Sequence, residues 1–299
     1  MKNFEISPQE MLYNWRKIQK SNYLEDKKVT ICIAAICEGG KGLVVGADRM
    51  MTAPGLVLEF EHNESKIEKI SDTCLVLPAG DVSYSFQVIE MLRAAIKGQE
   101  QTLSIRTIGE KLKQVFIAVH MKRMESVVLI PRGWNLEDFK TRGAKEINPE
   151  IYKEIQNQIF NFGLPPFGQS PEFIIAGIDP SGAHICRIYY GGMAGGDWIE
   201  WGDKIGWKTV GSGSLHASIS LATSGHNRNS SHEETIYSVY AAKKKAEAAP
   251  GVGQKHDFAF IKDNQITFLT DTVLGKLETQ RAAHEANRPE ITELKKAIS

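Results

Sequence analysis

Two apolar runs near the start of the chain, residues 29–37 (Val-Thr-Ile-Cys-Ile-Ala-Ala-Ile-Cys) and 42–48 (Gly-Leu-Val-Val-Gly-Ala-Asp), flank a Glu38-Gly39-Gly40-Lys41 turn. Short β-branched runs joined by a Gly-bearing turn predict an antiparallel hairpin. Counting outward from Gly39-Gly40 places Asp48 opposite Ile31, one pair from Thr30, and predicts that Thr30 and Asp48 share a face at the open end. Residues 65–70 form a further strand-like run that can deliver Lys66 to the same end. Residues 74–78 form another, followed by Ala79-Gly80-Asp81 and an apolar-periodic helix over 82–96 capped by Asp81. A second helix is predicted over 104–124 from Ile105, Ile108, Leu112, Val115, Phe116 and Val119.

The middle of the chain, about 127–169, carries helical pieces around Leu136, Phe139, Ile147, Ile151, Ile155 and Ile159, then a Gly-Pro loop at 163–168. It reads as an insertion on the scaffold, too short for its own core. Residues 173–179 and 184–190, around Pro180-Ser181-Gly182, predict a hairpin. Trp198, Trp201 and Trp207 fall in a Gly-rich stretch and read as packing residues under a loop. A Gly211-Ser212-Gly213-Ser214 turn precedes a helix through His216, Ile219 and Leu221. Another helix is predicted over 233–249 and a last hairpin over 256–261 and 265–269. Before the first hairpin, Met11, Leu12, Trp15 and Ile18 predict an amphipathic helix over 7–20. Residues 273–299 predict a charged helical tail.

Composition changes little in this picture. Lys plus Arg and Asp plus Glu stand at 36 each, so no net field favours nucleic acid or an anionic membrane. No apolar run reaches the ~20 residues of a membrane span, and the first residues lack a signal-peptide core. Cys32, Cys37, Cys74 and Cys186 have no CxxC spacing and read as buried residues in a reducing cytoplasm. No metal or cofactor is expected, and the expected location is cytoplasmic.

The ordered set of these segments resembles the proteasome β-subunit family of the N-terminal-nucleophile hydrolases. A strand from Thr30, a turn, Gly46-Ala47-Asp48-Arg49, Lys66-Ile67-x-x-Ile70, Ala79-Gly80-Asp81 before a helix, and Gly211-Ser212-Gly213 carry the likeness, which covers most of 30 to about 269. The resemblance implies an α+β fold, a four-layer αββα sandwich of two antiparallel sheets between helix layers. The hydrolase domain would run over 29–272, preceded by an extension or propeptide (1–28) and followed by the tail (273–299).

The family's chemistry explains the residue types. A hydroxyl is a weak nucleophile until a base takes its proton; in this class the base is the free α-amine of the same residue. Resemblance therefore implies Thr30 as nucleophile and base, Lys66 as electrostatic activator, Asp48 as its partner and Ser212 as a holder of the amine. The Gly80 N–H would receive the oxyanion. The chain departs from the family in two places. Val29 stands where Gly usually precedes the nucleophile, and the region before the last hairpin lacks the family's Asp and Ser, leaving Glu247 as the candidate stand-in. Two readings follow. One is a threonine peptidase or amidohydrolase, activated by cleavage after Val29 and acting on peptide or unfolded-protein substrates within a ring-like homo-oligomer. The other is an inactive, unprocessed ring subunit with an assembly or binding role. Neither reading identifies an ATPase partner.

Overall fold

The computed structural model describes residues 30–53, 58–164, 170–191 and 198–286, so the helix expected over 7–20, Val29, and the end of the tail lie outside the described residues. Two five-stranded antiparallel sheets form the centre. The first has the order β10-β1-β2-β11-β12, with β1 at Cys32–Cys37, β2 at Gly42–Asp48, β10 at Trp207–Val210, β11 at His256–Lys262 and β12 at Gln265–Phe268. The second has the order β5-β6-β7-β8-β9, with β5 at Glu68–Ser71, β6 at Cys74–Ala79, β7 at Glu172–Asp179, β8 at Gly182–Ile188 and β9 at Ile199–Trp201. A separate two-stranded hairpin pairs β3 (Met50–Ala53) with β4 (Leu58–Glu61).

Why the strands read as unbroken apolar runs is visible in the packing. Cys32, Ala34 and Ile36 of β1 point between the sheets, against Leu75 and Leu77 of β6 and Ile174 and Ala176 of β7. Ile33, Ala35 and Cys37 point the other way, onto α4 (Ser214–Thr223) and α5 (His232–Ala246) through Ala217, Leu221, Val239 and Ala242. Cys74, Val76, Phe173 and Ile175 cover the outer face of the second sheet against α1 (Val82–Ile96) and α2 (Ile105–Met124). Both faces of each central strand are therefore buried, and the chain is an αββα sandwich of two antiparallel sheets between helix layers. Burial of apolar surface on three successive interfaces is the dominant favourable term in such an architecture.

The β1–β2 register runs from Cys32 opposite Ala47 to Cys37 opposite Gly42, and Asp48 N donates to Ile31 O at 3.1 Å, as counting from the turn requires. Glu38, Gly39 and Gly40 all take positive φ in that turn, a conformation that glycine adopts without steric cost. Asp81 caps α1, its carboxylate accepting from Tyr84 N at 2.9 Å.

Two segments differ from the sequence expectation, and the tail is helical as expected. Trp201 and Trp207 lie in β9 and β10, strands rather than a loop; these strands are only three and four residues long, too short to show period-two alternation among glycines. The insertion does bury a cluster of its own, Met124, Val128, Leu129, Phe139 and Ile155, built on the end of α2 and on α3 (Pro149–Asn161). The tail begins with α6 (Asp271–Ala286), which docks on the first helix layer through Leu277 and through a Tyr240 Oη–Glu278 Oε2 bond of 2.6 Å.

Candidate functional site

At the end of the β1–β2 ladder three side chains from separate elements meet in the interior. Thr30 is 1% exposed, Asp48 0% and Lys66 7%. Strict alternation places Asp48 on the face of Ile31 and Thr30 on the other, so a shared face is not what brings them together. Thr30 precedes the strand, and at this frayed end its side chain turns to the carboxylate. The Thr30 hydroxyl donates to Asp48 Oδ1 at 2.5 Å. Lys66 Nζ donates to Thr30 Oγ1 at 2.5 Å and to Asp48 Oδ1 at 2.8 Å. The hydroxyl thus has an acceptor for its proton and a cation on its oxygen, which is the electrostatic setting of an activated nucleophile.

Asp48 is held from two further sides. Ile31 N reaches Oδ1 at 3.3 Å, and Gly253 N donates to Oδ2 at 2.9 Å. A fully buried carboxylate requires such partners, because an unpaired buried charge is expensive.

Ser212 closes over the Thr30 backbone. Thr30 N donates to Ser212 Oγ at 3.4 Å, and Ser212 Oγ donates to Thr30 O at 3.3 Å. The turn fits only with glycine before it: Gly211 has φ +99°, and an added Cβ would lie 2.3 Å from Thr30 O. Gly80 follows β6, with φ +112° and an added Cβ 3.1 Å from Pro171 Cα. Cys32 Sγ donates to Pro78 O at 3.3 Å, tying the start of β1 to the end of β6 two residues before Gly80. Burial pushes the Cys32 thiol up to about 12, against the opposing charge of Lys66, so it stays protonated and does not compete as a nucleophile.

Glu247 is placed differently from Thr30, Asp48, Lys66 and Ser212. Its carboxylate bonds Lys243 and, at 2.7 Å, Lys244; it touches the site only through Lys243 and the 253–254 loop, so it does not hold the Thr30 nitrogen. Lys243 and Gly253 are the participants that sequence reasoning missed. The available signal was spacing: Lys243 falls on the stripe Val239, Ala242, Ala246 that α5 buries, although Lys243-Lys244-Lys245 reads as a solvated run.

Two other clusters are less suited to chemistry. Ser181, His184 and Asp203 line up with 2.7 Å from Ser181 Oγ to His184 Nε2 and 2.7 Å from His184 Nδ1 to Asp203 Oδ2. The Ser181 hydroxyl, however, has one proton and donates it to Asp179 Oδ1 at 2.5 Å, the shorter of its two contacts, rather than to the imidazole. A polar hollow lined by Arg187, Glu200, Lys208 and Ser218 contains none of the Thr30 group, and its cations are already paired, Arg187 with Glu172 at 3.0 Å and Lys208 with Glu200.

Beneath the Gly80 turn, His120 Nδ1 contacts Tyr84 Oη at 3.0 Å and Ser170 Oγ at 3.2 Å. Burial, with Arg123 adding charge repulsion, pushes His120 down to about 4. Burial also lowers His226, His232 and His256. The native state therefore holds these rings neutral while the unfolded chain protonates them near pH 6.5. Their contribution is complete above about pH 6.5 and is lost as pH falls, for His120 down to about 4, with about 3 kcal/mol at stake for that ring. Urea unfolding should show a lower midpoint at pH 5 than at pH 7.5, and His120→Phe should flatten the difference.

No family model and no curated protein matches the chain. Among the described residues, no cluster of three or more His, Cys, Asp or Glu could hold a metal ion, and no helix is long and apolar enough to cross a membrane.

Proposed function

We propose that the chain is a proteasome-like N-terminal-nucleophile hydrolase, a threonine peptidase or amidohydrolase whose nucleophile is Thr30. The observation that carries this is the bond set of Thr30 Oγ1, which donates to Asp48 and accepts from Lys66, both at 2.5 Å, in a buried setting. In the intact chain the Thr30 nitrogen is a peptide amide and cannot act as base. Asp48 is then the group in place to take the hydroxyl proton while Oγ1 attacks the carbonyl carbon of Val29. The Val29–Thr30 C–N bond breaks, the amine leaves protonated, and an ester joins residue 29 to Oγ1. Water hydrolyses that ester, releasing the carboxylate of residue 29 and a chain that begins at Thr30. In the processed enzyme the free amine, near Ser212, takes the hydroxyl proton in each turnover, and the Gly80 N–H receives the oxyanion.

Because Thr30 is 1% exposed, a substrate reaches it only after its surroundings change, and cleavage before Thr30 is a change the chemistry itself supplies. The substrates are peptide or amide bonds. A panel of fluorogenic peptide amides tests this, with Thr30→Ser retaining partial turnover because the nucleophilic atom survives. Equal turnover by wild type and Thr30→Ala would sink the reading.

A second reading, an unprocessed and inactive ring subunit, is favoured by one placement. Glu247, the candidate to help hold a free amine, is committed to Lys243 and Lys244. Both readings imply self-association. Leu215 is 67% exposed and Ile219 53% on α4, apolar surface of the kind that subunits cover. Light scattering at micromolar concentration should give a homo-oligomer larger than a dimer; a stable monomer would count against both.

A further inference from the structure

Lys243 is the one lysine among the largest fully buried side chains of the described residues, at 0% exposure in the last turn of α5. Its ammonium faces four acceptors: the Glu247 carboxylate, Gly253 O at 2.9 Å, Gln254 O at 2.9 Å and His256 Nδ1 at 3.2 Å. An ammonium has three N–H donors. His256 Nδ1 also lies 2.8 Å from Gln254 O, the shorter contact, so the ring donates to that carbonyl and Lys243 spends its three donors on Glu247, Gly253 and Gln254.

These bonds fix a single residue from both sides. Gly253 gives its N–H to Asp48 Oδ2 at 2.9 Å and its carbonyl to Lys243 at 2.9 Å. Its Cα is also hemmed in, since an added Cβ would lie 2.9 Å from Glu61 Oε1 and 3.2 Å from Met50 Cβ. Asp48 Oδ1 already serves Thr30, Lys66 and Ile31. The Oδ2 bond from Gly253 is therefore the contact that sets the rotation of the carboxylate, and with it the direction in which Oδ1 meets the Thr30 hydroxyl. Glu247, Lys243, Asp48 and Lys66 form a chain of alternating charge with Gly253 as the one neutral link.

A buried ion pair is a poor way to gain stability, because desolvation offsets the attraction and an apolar pair of like volume serves as well. Burial lowers the Lys243 pKa, and the Glu247 carboxylate placed beside the ammonium opposes that. A costly charge at a position that α5 otherwise fills with Val239, Ala242 and Ala246 calls for a role that apolar side chains cannot fill. We propose that Lys243 is a positioning residue that orients Asp48 through Gly253, so that a residue on α5 governs the carboxylate that holds Lys66 and the Thr30 hydroxyl in place. This rests on the reading of Asp48 as partner of Lys66 and Thr30 given above.

The test uses the full chain with the pair neutralised together, Lys243→Met with Glu247→Gln, so that no lone buried carboxylate unfolds the protein; Lys243→Arg serves as the conservative variant. Two NMR readouts need no activity: hydrogen exchange of the Gly253 amide and the Asp48 side-chain carboxyl carbon shift. In the double variant Gly253 exchange should rise at least about tenfold and the Asp48 signal should move, with Lys243→Arg between it and wild type. Where the wild type hydrolyses peptides, kcat should fall by about 10²-fold with KM nearly unchanged. A double variant whose Gly253 exchange and Asp48 signal match wild type overturns the proposal, and so does one in which both change while kcat stays at the wild-type value. A wild type that hydrolyses nothing removes the enzymatic reading alone, and the two NMR readouts still decide whether Lys243 orients Asp48.

Discussion

Thr30→Ala should abolish both cleavage before residue 30 and peptide hydrolysis, because one oxygen attacks in each. Loss of the nucleophile removes the covalent route, and kcat should fall by at least about 10⁴-fold. The fold should survive. Asp48 Oδ1 keeps Lys66 at 2.8 Å and Ile31 N at 3.3 Å, so the missing hydroxyl costs about 1 kcal/mol. A matched pair of assays, chemical unfolding and turnover of a fluorogenic peptide amide, separates these effects. Retained turnover in a folded Thr30→Ala chain would show that another group attacks.

Lys66→Met should be the most damaging single change at the site in stability, and it should lower activity as well. Asp48 is fully buried and Lys66 is its cation, so removing the ammonium leaves the carboxylate with neutral donors only. Breaking one partner of such a pair costs about 3–5 kcal/mol. The hydroxyl also loses the charge that lies 2.5 Å from its oxygen, and turnover should drop by about 10³-fold. The double variant Lys66→Met with Asp48→Asn discriminates the two effects. Replacing both charges removes the uncompensated burial, so most of the stability should return while activity stays at least as low as in Lys66→Met. If the double variant is no more stable than Lys66→Met, the site is not an electrostatically balanced pair. If activity returns with stability, the ammonium has no chemical role.

The first hairpin was legible because its turn and its two runs fix the register between them: pairing Cys37 with Gly42 brings Asp48 opposite Ile31. What that count could not show is that Thr30 leaves the alternation at the ladder's end, since side-chain direction there depends on the carboxylate and ammonium it meets rather than on the pleat. The layers were legible from strands apolar on both faces and helices apolar on one, as with Val88, Leu92, Ile108, Leu112 and Phe116 under the second sheet. Trp201 and Trp207 hid two strands, since runs of three and four residues carry too little periodicity beside glycines. The small core around Phe139 and Ile155 escaped because it borrows the end of α2, Met124, rather than standing alone.

Within the site, Thr30, Asp48 and Lys66 could be read because each sits at the end of a strand-like run, and Ser212 because a Gly-Ser turn opens a helix. Glu247 was legible as a carboxylate in the right region and illegible as to its partner. Its place on Lys243 follows from helical i to i+4 spacing, which brings the two together on α5 and its C-terminal cap. Gly253 acts through its backbone N–H, which no side-chain pattern reports.

Intact mass of the purified wild-type chain, beside that of Thr30→Ala, tests most directly whether Thr30 is the nucleophile. If it is, the wild type loses residues 1–29 and begins at Thr30, while the alanine chain stays whole. A Thr30→Ala chain that is cut at the same bond, or a wild type that hydrolyses amides with residues 1–29 still attached, would contradict it.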